Sequence, residues 1–442
     1  MSSIVNLIRA AMFACAWSFW LAQGAMAMDR PSAKDPAAAL QSWYTLVVEL
    51  VRHTATYSPP VASRAFAYLG TTAWEATASG NPDLKSLAGK LNGLAPLPPR
   101  EAGKAYDETI VLNAALEASV KDFFWNTGPT GQRAFAAVAK RLGQEATDGK
   151  PADVVERSSA YGKAIAAHIF AWSQDDGGAT IENMGFPYDY KLNTAPGHWV
   201  PTSPVRQQQL PLLPMWGDNR PFAMPDGASC ALPAPPAYSE DKDSAFYKEA
   251  LEVYNTSKSL DDGQKAIARF WSDDPMLTPT PPGHWIAIVL QIIERDQLPV
   301  DKSAEALART GIAVADAFIG CWRDKFAYDL VRPVTYIRKV IDPKWEALLI
   351  TPPFPEYPSG HSSESGAAAE ALTALFGDNF AFEDATHVKE GHKPRPFPSF
   401  WAAAQEAGIS RLYGGIHFRA AIDQGLEQGR CIGKLVAKLE MR

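Results

Sequence analysis

The stretch that decides the fold is residues 358–377, which read PSGHSSESGAAAEALTALFG. Its first proline cannot continue a helix backwards, and Ser359 is a good N-cap residue. The alanines and leucines that follow propagate a helix, and a glycine ends it. The helix therefore begins at Gly360, where free backbone N–H groups and the positive end of the helix dipole favour an anion. Because Gly360 has no Cβ, an oxyanion can approach the backbone closely there, with His361 at the rim.

Two segments on either side of this stretch carry cations that suit the same anion. Lys325 and Arg332 lie before it, and Pro333 forces Arg332 out of the helical region. We therefore expect Lys325 to end a helix and Arg332 to lie on the following loop. After the stretch, two glycines follow Arg411 and interrupt its helix, and a new helix carries His417. The break lets Arg411 and His417 converge, since an unbroken helix would hold residues six apart about 240° from each other.

Together, the three segments resemble the signature of the superfamily that unites type 2 phosphatidic acid phosphatases with vanadium-dependent haloperoxidases. That signature is Lys-x6-Arg-Pro, then Pro-Ser-Gly-His, then Ser-Arg-x5-His, and the chain has all three parts in order. The resemblance implies an all-α helical bundle of the haloperoxidase and type 2 acid phosphatase kind, with long Pro-rich loops. It also implies a clamp on the equatorial oxygens of a tetrahedral oxyanion, made of Lys325, Arg332, Ser359, Gly360 and Arg411.

By the same resemblance, His417 is the axial ligand of vanadium or the nucleophile toward phosphorus, and His361 is the acid–base group at the opposite apex. The implied cofactor is vanadate, and phosphate fits the same clamp. The implied reaction is oxidation of a halide by hydrogen peroxide to hypohalous acid through a peroxovanadate, with a small organic acceptor. Two alternatives stay open: a periplasmic acid phosphatase that uses a phosphohistidine, and a protein that binds an oxyanion without turnover.

Sequence upstream of the lysine favours the haloperoxidase. The match FWSDD at residues 270–274, followed by TPP at residues 280–282, resembles that group. By this resemblance Asp274 pairs with Arg411, and Asp273 is its close rival. The length of the chain also resembles the bacterial haloperoxidases, because the soluble acid phosphatases of the superfamily are much shorter.

Two aromatic residues and one alanine bear on the same choice. Trp322 and Phe354 match positions where fungal chloroperoxidases of the family carry the same aromatic types beside bound peroxide, although both are also suited to a core. The phosphatase signature ends His-x3-Asp, and Ala421 occupies that last position. Since a carboxylate four residues after His417 would orient its ring, this loss counts against phosphohistidine chemistry.

Charge and composition exclude other classes of function. The chain has 442 residues, of which 42 are basic and 49 acidic, giving a net charge of -7. No long run of Lys or Arg is present, which argues against nucleic acid as a partner. With 46% apolar residues, the chain can bury a large core.

The N-terminus predicts a secretory signal peptide of 27 residues. Arg9 precedes an apolar run at residues 10–21, and an A-x-A cleavage site ends at Ala27. We expect a mature chain from Met28, located in the periplasm or outside the cell, with no transmembrane segment. The alternative is an uncleaved membrane anchor, for which the apolar run is short.

Helical periodicity dominates the rest of the chain. Ala-rich windows predict helices at residues 36–55, 61–79, 105–122, 130–146, 153–173 and 243–256. The Pro-rich segment at residues 187–236 cannot sustain a helix, and it either wraps the core or site entrance or merely connects elements over the surface. We expect one all-α domain over residues 28–442, with the active-site bundle mainly within residues 260–442.

Three cysteines remain after the signal peptide, namely Cys230, Cys321 and Cys431. An oxidising compartment allows at most one internal disulfide among them, and the sequence leaves open whether Cys230 pairs with Cys321 or Cys431. Three separated thiols make a poor zinc site, so buried structural cysteines are the favoured interpretation.

Overall fold

The computed structural model describes residues 32–203, 205–206 and 208–442. The predicted signal peptide and its cleavage site lie outside the described residues. Within them the protein is predominantly helical, as the sequence predicts, with one short two-stranded hairpin. None of the described helices is long and apolar enough to cross a lipid bilayer.

The helices follow one another along the whole described chain. In chain order they are α1 (Pro36–Arg52), α2 (Pro59–Ala78), α3 (Glu108–Phe123), α4 (Gly128–Thr147), α5 (Ala152–Ser173), α6 (Gly178–Ile181), α7 (Ala245–Ser259), α8 (Asp262–Phe270), α9 (Thr280–Asp296), α10 (Val300–Tyr328), α11 (Pro333–Val340), α12 (Gly360–Phe376), α13 (Phe400–Tyr413) and α14 (Arg419–Ala437). The antiparallel hairpin between α12 and α13 consists of β1 (Phe382–Asp384) and β2 (Arg395–Phe397).

Helix beginnings and ends follow the local sequence. Asp35 caps α1, because its carboxylate accepts a hydrogen bond from the Ala38 N–H at 2.9 Å. Ser359 caps α12 in the same way and accepts from the Ser362 N–H at 3.3 Å. Helix α12 ends before Gly377, as predicted. The sequence therefore fixes where the helix that faces the candidate site begins.

The centre of the fold is α10, which is buried on nearly every side from residue 303 to residue 325. It packs against α2 on one side and α12 on another, and so connects the two halves of the chain. Glycine allows the close approach to α2: a Cβ on Gly311 would lie 2.7 Å from the Phe66 carbonyl oxygen. The division of the chain into domains stays a prediction.

Helix α14 packs closely against α12 through three glycines spaced four residues apart. A Cβ added to Gly429 would lie 2.2 Å from the Ser363 carbonyl oxygen, and one added to Gly433 would lie 2.7 Å from the Ala367 carbonyl oxygen. Gly425 makes the third close approach, beside the start of α12. Because the helices are in backbone contact, α14 holds the beginning of α12 in place.

The Pro-rich segment at residues 187–236 contains no α-helix among its described residues. Its backbone is nevertheless anchored to α10, because the carboxylate of Asp316 accepts three N–H bonds of 2.6 to 2.8 Å from residues 222–224. Trp199, Trp216 and Phe222 of the segment are buried. The segment thus wraps the core, which is the first of its two predicted roles.

A disulfide joins Cys230 at the end of this segment to Cys431 in α14. Cys321 is a buried free thiol in α10. The pairing that the sequence left open is therefore Cys230 with Cys431.

Candidate active site

Three buried cations from three different elements define the candidate site. Lys325 lies in the last turn of α10, Arg332 precedes α11 and Arg411 lies in the last turn of α13. Each is at most 2% exposed. The predicted helix end at Lys325 and the predicted loop position of Arg332 are both present.

None of these three cations forms an ion pair within the described part of the chain. Lys325 Nζ donates to the carbonyl oxygens of Pro355 at 3.0 Å and Glu356 at 3.1 Å, and also to that of Pro358. Burial lowers the pKa of Lys325 to about 8. A buried ammonium whose hydrogen bonds go to carbonyl oxygens alone is poorly compensated, so an anion would stabilise it.

The two arginines are held in the same way. Arg332 donates to the carbonyl oxygens of Phe354 at 2.8 Å and Ile416 at 2.9 Å, while its Nη2 is buried without a hydrogen-bond partner. Arg411 donates to the Ser410 hydroxyl at 2.9 Å and to the Trp271 carbonyl oxygen. Burial lowers the pKa of each guanidinium to about 10. Three buried cations and an orphaned guanidinium nitrogen fit a multiply charged oxyanion such as vanadate or phosphate.

His417 is held between the side chain of Glu356 and one of these guanidinium groups. Its Nδ1 lies 2.9 Å from Glu356 Oε1, and its Nε2 lies 3.1 Å from Arg332 Nη1. Because Arg332 can only donate, Nε2 carries the lone pair and Nδ1 carries the proton. Burial, followed by the charges of the three cations, lowers the pKa of His417 well below its ordinary value. The ring is therefore neutral and presents an available lone pair among the cations.

Glu356 is the site residue that the sequence reasoning missed. Its Oε1 accepts from both the His417 ring and the Phe418 N–H, the latter at 2.8 Å. The side chain is fully buried, and burial raises its pKa to about 8. Glu356 is the one acidic residue in the segment FPEYPSGH. A single acidic residue this close to the predicted anion site is the sequence feature that indicates a role there.

The predicted position of His417 on a helix is wrong, and Ala421 therefore does not count against phosphohistidine chemistry. His417 precedes α14 instead of lying on it, because the helix begins at Arg419. A carboxylate at position 421 is thus not one turn further along the same helix. Glu356 supplies the orienting carboxyl group from another segment, and the Ala421 carbonyl oxygen accepts from the Ser359 N–H at 3.0 Å.

The start of α12 presents its backbone to the same region. A Cβ built on Gly360 would make ordinary van der Waals contacts with the rings of Phe318 and Trp322, each at 3.8 Å, so the aromatic rings lie beside this turn. His361 follows with 17% of its side chain exposed, and its Nε2 has no hydrogen-bond partner. Burial, and then the charge of Arg411, lowers the pKa of His361 to about 4.

Trp322 and Phe354 form an aromatic wall beside the cations. Their ring centroids are 4.9 Å apart, and Lys325 Nζ lies 5.1 Å from the centre of the Phe354 ring. Trp322 donates its indole N–H to the Leu212 carbonyl oxygen at 3.1 Å, which ties the wall to the Pro-rich segment. The structure therefore brings both predicted aromatic residues to the site.

The structure does not bring Asp274 into the predicted ion pair with Arg411. The Arg411 guanidinium instead bonds to carbonyl oxygens at the end of α8, and the carboxylates of Asp273 and Asp274 act on it only at longer range. Asp273 is directed toward histidines, at 3.0 Å from both His284 and His387. The two adjacent carboxylates thus have different contacts, and a sequence pattern alone cannot distinguish their roles.

Taken together, these features describe a helical protein in which three buried cations surround a neutral histidine that lies between a glutamate and an arginine. The family model for the VCPO second helical-bundle domain matches residues 305–442. The structure is similar to that of a bacterial vanadium-dependent iodoperoxidase, with 37% sequence identity and a TM-score of 0.84 over 92% of this chain and 97% of that one. The chain belongs to the vanadium-dependent haloperoxidase family.

The chain is also similar to two further proteins that are vanadium-dependent chloroperoxidases. The vanadium chloroperoxidase of Curvularia inaequalis is 26% identical over 348 residues, a match that covers 60% of this chain and 57% of the length of that enzyme. A bacterial vanadium-dependent chloroperoxidase in its holo form has a TM-score of 0.67 at 18% identity over 89% of this chain and 95% of that one, which supports the fold.

Proposed function

We propose that the protein is a vanadium-dependent haloperoxidase that oxidises a halide with hydrogen peroxide to hypohalous acid. The observation that carries the proposal is the set of three buried cations, none of them in an ion pair within the described residues, beside the neutral ring of His417. Membership of the family supports it, as does the iodoperoxidase that shares the fold over nearly the whole chain.

Lys325, Arg332 and Arg411 would hold the oxygens of vanadate, together with the Gly360 N–H and the Ser359 hydroxyl. His417 would coordinate the metal through Nε2, because Glu356 keeps its proton on Nδ1. When bound, vanadate supplies a Lewis acid that activates peroxide without changing its own oxidation state. Phosphate would fit the same residues.

His361 is the residue that accepts and donates protons at this site. Its pKa of about 4 in the free protein makes the ring neutral at ordinary pH, and a bound anion would raise that pKa by opposing the charge of Arg411. His361 can then accept a proton from peroxide and return one to the product. Trp322 and Phe354 would exclude water from a halide beside Lys325.

A phosphatase remains a second candidate because of Glu356. A glutamate oxygen that accepts the His417 Nδ1 proton and leaves Nε2 free suits a nucleophile as well as a metal ligand. Phosphomonoester hydrolysis by the vanadate-free protein would identify this activity.

Export is part of the proposal. The predicted signal peptide and the Cys230–Cys431 disulfide both suit an oxidising compartment, so we place the mature chain in the periplasm or outside the cell. Hydrogen peroxide, a halide and a small organic acceptor are the proposed partners.

The test uses the mature chain from Met28, loaded with orthovanadate. Halogenation of a dione is measured with peroxide and chloride, bromide or iodide, alongside phosphomonoester hydrolysis by the vanadate-free protein. We expect halogenation that depends on vanadate. Hydrolysis that vanadate inhibits, without halogenation at any halide, would show that the clamp serves phosphate.

Two variants assign the histidines. His417→Ala should abolish retention of vanadium, measured as metal content after gel filtration. His361→Ala should retain vanadium and lose most turnover, because it removes the proton carrier and no ligand. Full activity in either variant would contradict the assignment.

A further inference from the structure

Behind His361 lies a buried cluster of acids and histidines that the clamp does not use. Asp273 is its centre, with His284, His387 and Asp384 around it, and the four side chains are at most 2% exposed. They come from four elements: the loop after α8, the start of α9, the turn after β1 and β1 itself. Burial of so many ionisable groups is costly unless each is paired.

The hydrogen bonds of this cluster leave one carboxylate oxygen of Asp273 directed at the candidate site. Oδ1 accepts from His284 Nδ1 and from His387 Nε2, each at 3.0 Å. Oδ2 lies 3.1 Å from His284 Nδ1 and also faces His361 Nε2 at 3.5 Å, a contact longer than an ordinary hydrogen bond. No other partner is present at His361 Nε2 in the described part of the chain.

Asp273 is held as a carboxylate by the rest of the cluster. His284 lies between two acids, since its Nε2 is 2.8 Å from Asp384 Oδ2, and it therefore donates from both nitrogens as an imidazolium. Burial alone would raise the pKa of Asp273, but the His284 charge and the histidine hydrogen bonds lower it well below its ordinary value. Other ionisable groups beside the cluster are Arg411, Glu364, Asp274, Glu390 and His392.

We propose that Asp273 is a positioning residue, which keeps the ring proton of His361 on Nε2 and so leaves Nδ1 as the nitrogen that accepts a proton in turnover. An ionised carboxylate can only accept hydrogen bonds, so the nitrogen that faces it must carry the proton. The same logic fixes the histidine in a Ser-His-Asp triad. The role in turnover rests on the proposed function, whereas the position of the ring proton does not.

The first measurement is made on the vanadate-free protein and needs no activity. With ¹⁵N-labelled histidine, NMR should show His361 as the Nε2–H tautomer, assigned by comparison with the His361→Gln spectrum. In Asp273→Asn the His361 signals should move toward a mixture of tautomers, because an amide can donate or accept. A wild-type His361 protonated on Nδ1 would overturn the proposal even if the protein is an active haloperoxidase.

The second measurement separates positioning from structure. In the vanadate-loaded enzyme, Asp273→Asn should lower kcat by about 10–100-fold, the usual effect of losing an orienting partner, and change the KM for peroxide little. In a His361→Gln background the same substitution should have no further effect on kcat. An equal loss in both backgrounds would show a purely structural role and overturn the proposal.

A matched control uses another histidine–aspartate pair. His198 Nδ1 lies 3.0 Å from Asp329 Oδ2, and His198 belongs to the same PGHW tetrapeptide as His284. Asp329→Asn should leave both the His361 tautomer and kcat unchanged. The ligand atoms of Asp273, His284 and His387 lie within 4.8 Å of one another, so metal content is measured as well. A stoichiometric transition metal bound by these three residues would overturn the proposal.

Discussion

At the scale of single residues, the site depends on which groups are charged and which hydrogen bonds they can make. Glu356 and Lys325 are both buried, and each has a pKa of about 8, one raised and the other lowered by burial. As the pH rises above 8, Glu356 becomes negatively charged and Lys325 loses its positive charge. The affinity of the site for an anion should therefore change with pH as both groups titrate.

Replacing Glu356 tests how His417 is held. In Glu356→Gln the amide oxygen can still accept from His417 Nδ1 and Phe418 N–H, so vanadate affinity should fall less than about tenfold. In Glu356→Leu both donors are buried without a partner, and affinity should fall about 10–100-fold. Vanadate binding by calorimetry measures the difference. Equal losses in the two variants would contradict a hydrogen-bonding role.

Sulfate affinity should fall as the pH rises above 8. Sulfate keeps its charge over this range, so the change comes from the protein: Lys325 loses its proton and Glu356 becomes ionised, and each opposes the anion. Each titration reduces affinity by up to about tenfold per pH unit. Lys325→Met and Glu356→Gln should each remove one part of the slope. A wild-type affinity independent of pH from 7 to 10 would contradict these pKa values.

At the scale of elements, packing between helices places groups that are far apart in the sequence. Helix α14 meets α12 at glycines, and the Ser359 N–H bonds the Ala421 carbonyl oxygen across that contact. The residues of the proposed clamp thus lie at helix ends whose positions depend on close packing. A side chain inserted between these two helices should disturb both stability and the site.

Gly429→Ala should destabilise the protein, because its Cβ would lie 2.2 Å from the Ser363 carbonyl oxygen. Overpacking of this kind costs about 1–3 kcal/mol. Gly143→Ala in α4 is the matched control, since no atom lies within 4 Å of its new Cβ, and helix propensity should stabilise it by up to about 1 kcal/mol. Urea unfolding measures both. A Gly429 variant as stable as the wild type would show that the helices separate at little cost.

At the scale of the whole molecule, local sequence patterns predict most of the fold, whereas contacts between residues distant in the sequence are visible only in the structure. Helix caps, hydrophobic periodicity and prolines are local features of the sequence, so they predict the helices and the three motif segments. Glu356 and His417 are 61 residues apart, and no periodicity marks their contact. Asp273 likewise differs from Asp274 only in what the fold brings near it. The disulfide partner of Cys230 was undetermined for the same reason.

The Cys230–Cys431 disulfide should stabilise the whole molecule, because it closes a loop with a sequence separation of 201 residues. Loss of a native disulfide typically costs about 2–5 kcal/mol. The double variant Cys230→Ser with Cys431→Ser should therefore unfold at a lower urea concentration, and so should the reduced wild type. Reductant should not affect the double variant, and sulfate affinity should be unchanged while the variant is folded. An unfolding midpoint that neither reduction nor substitution shifts would show that the Pro-rich segment is held to α14 by packing alone.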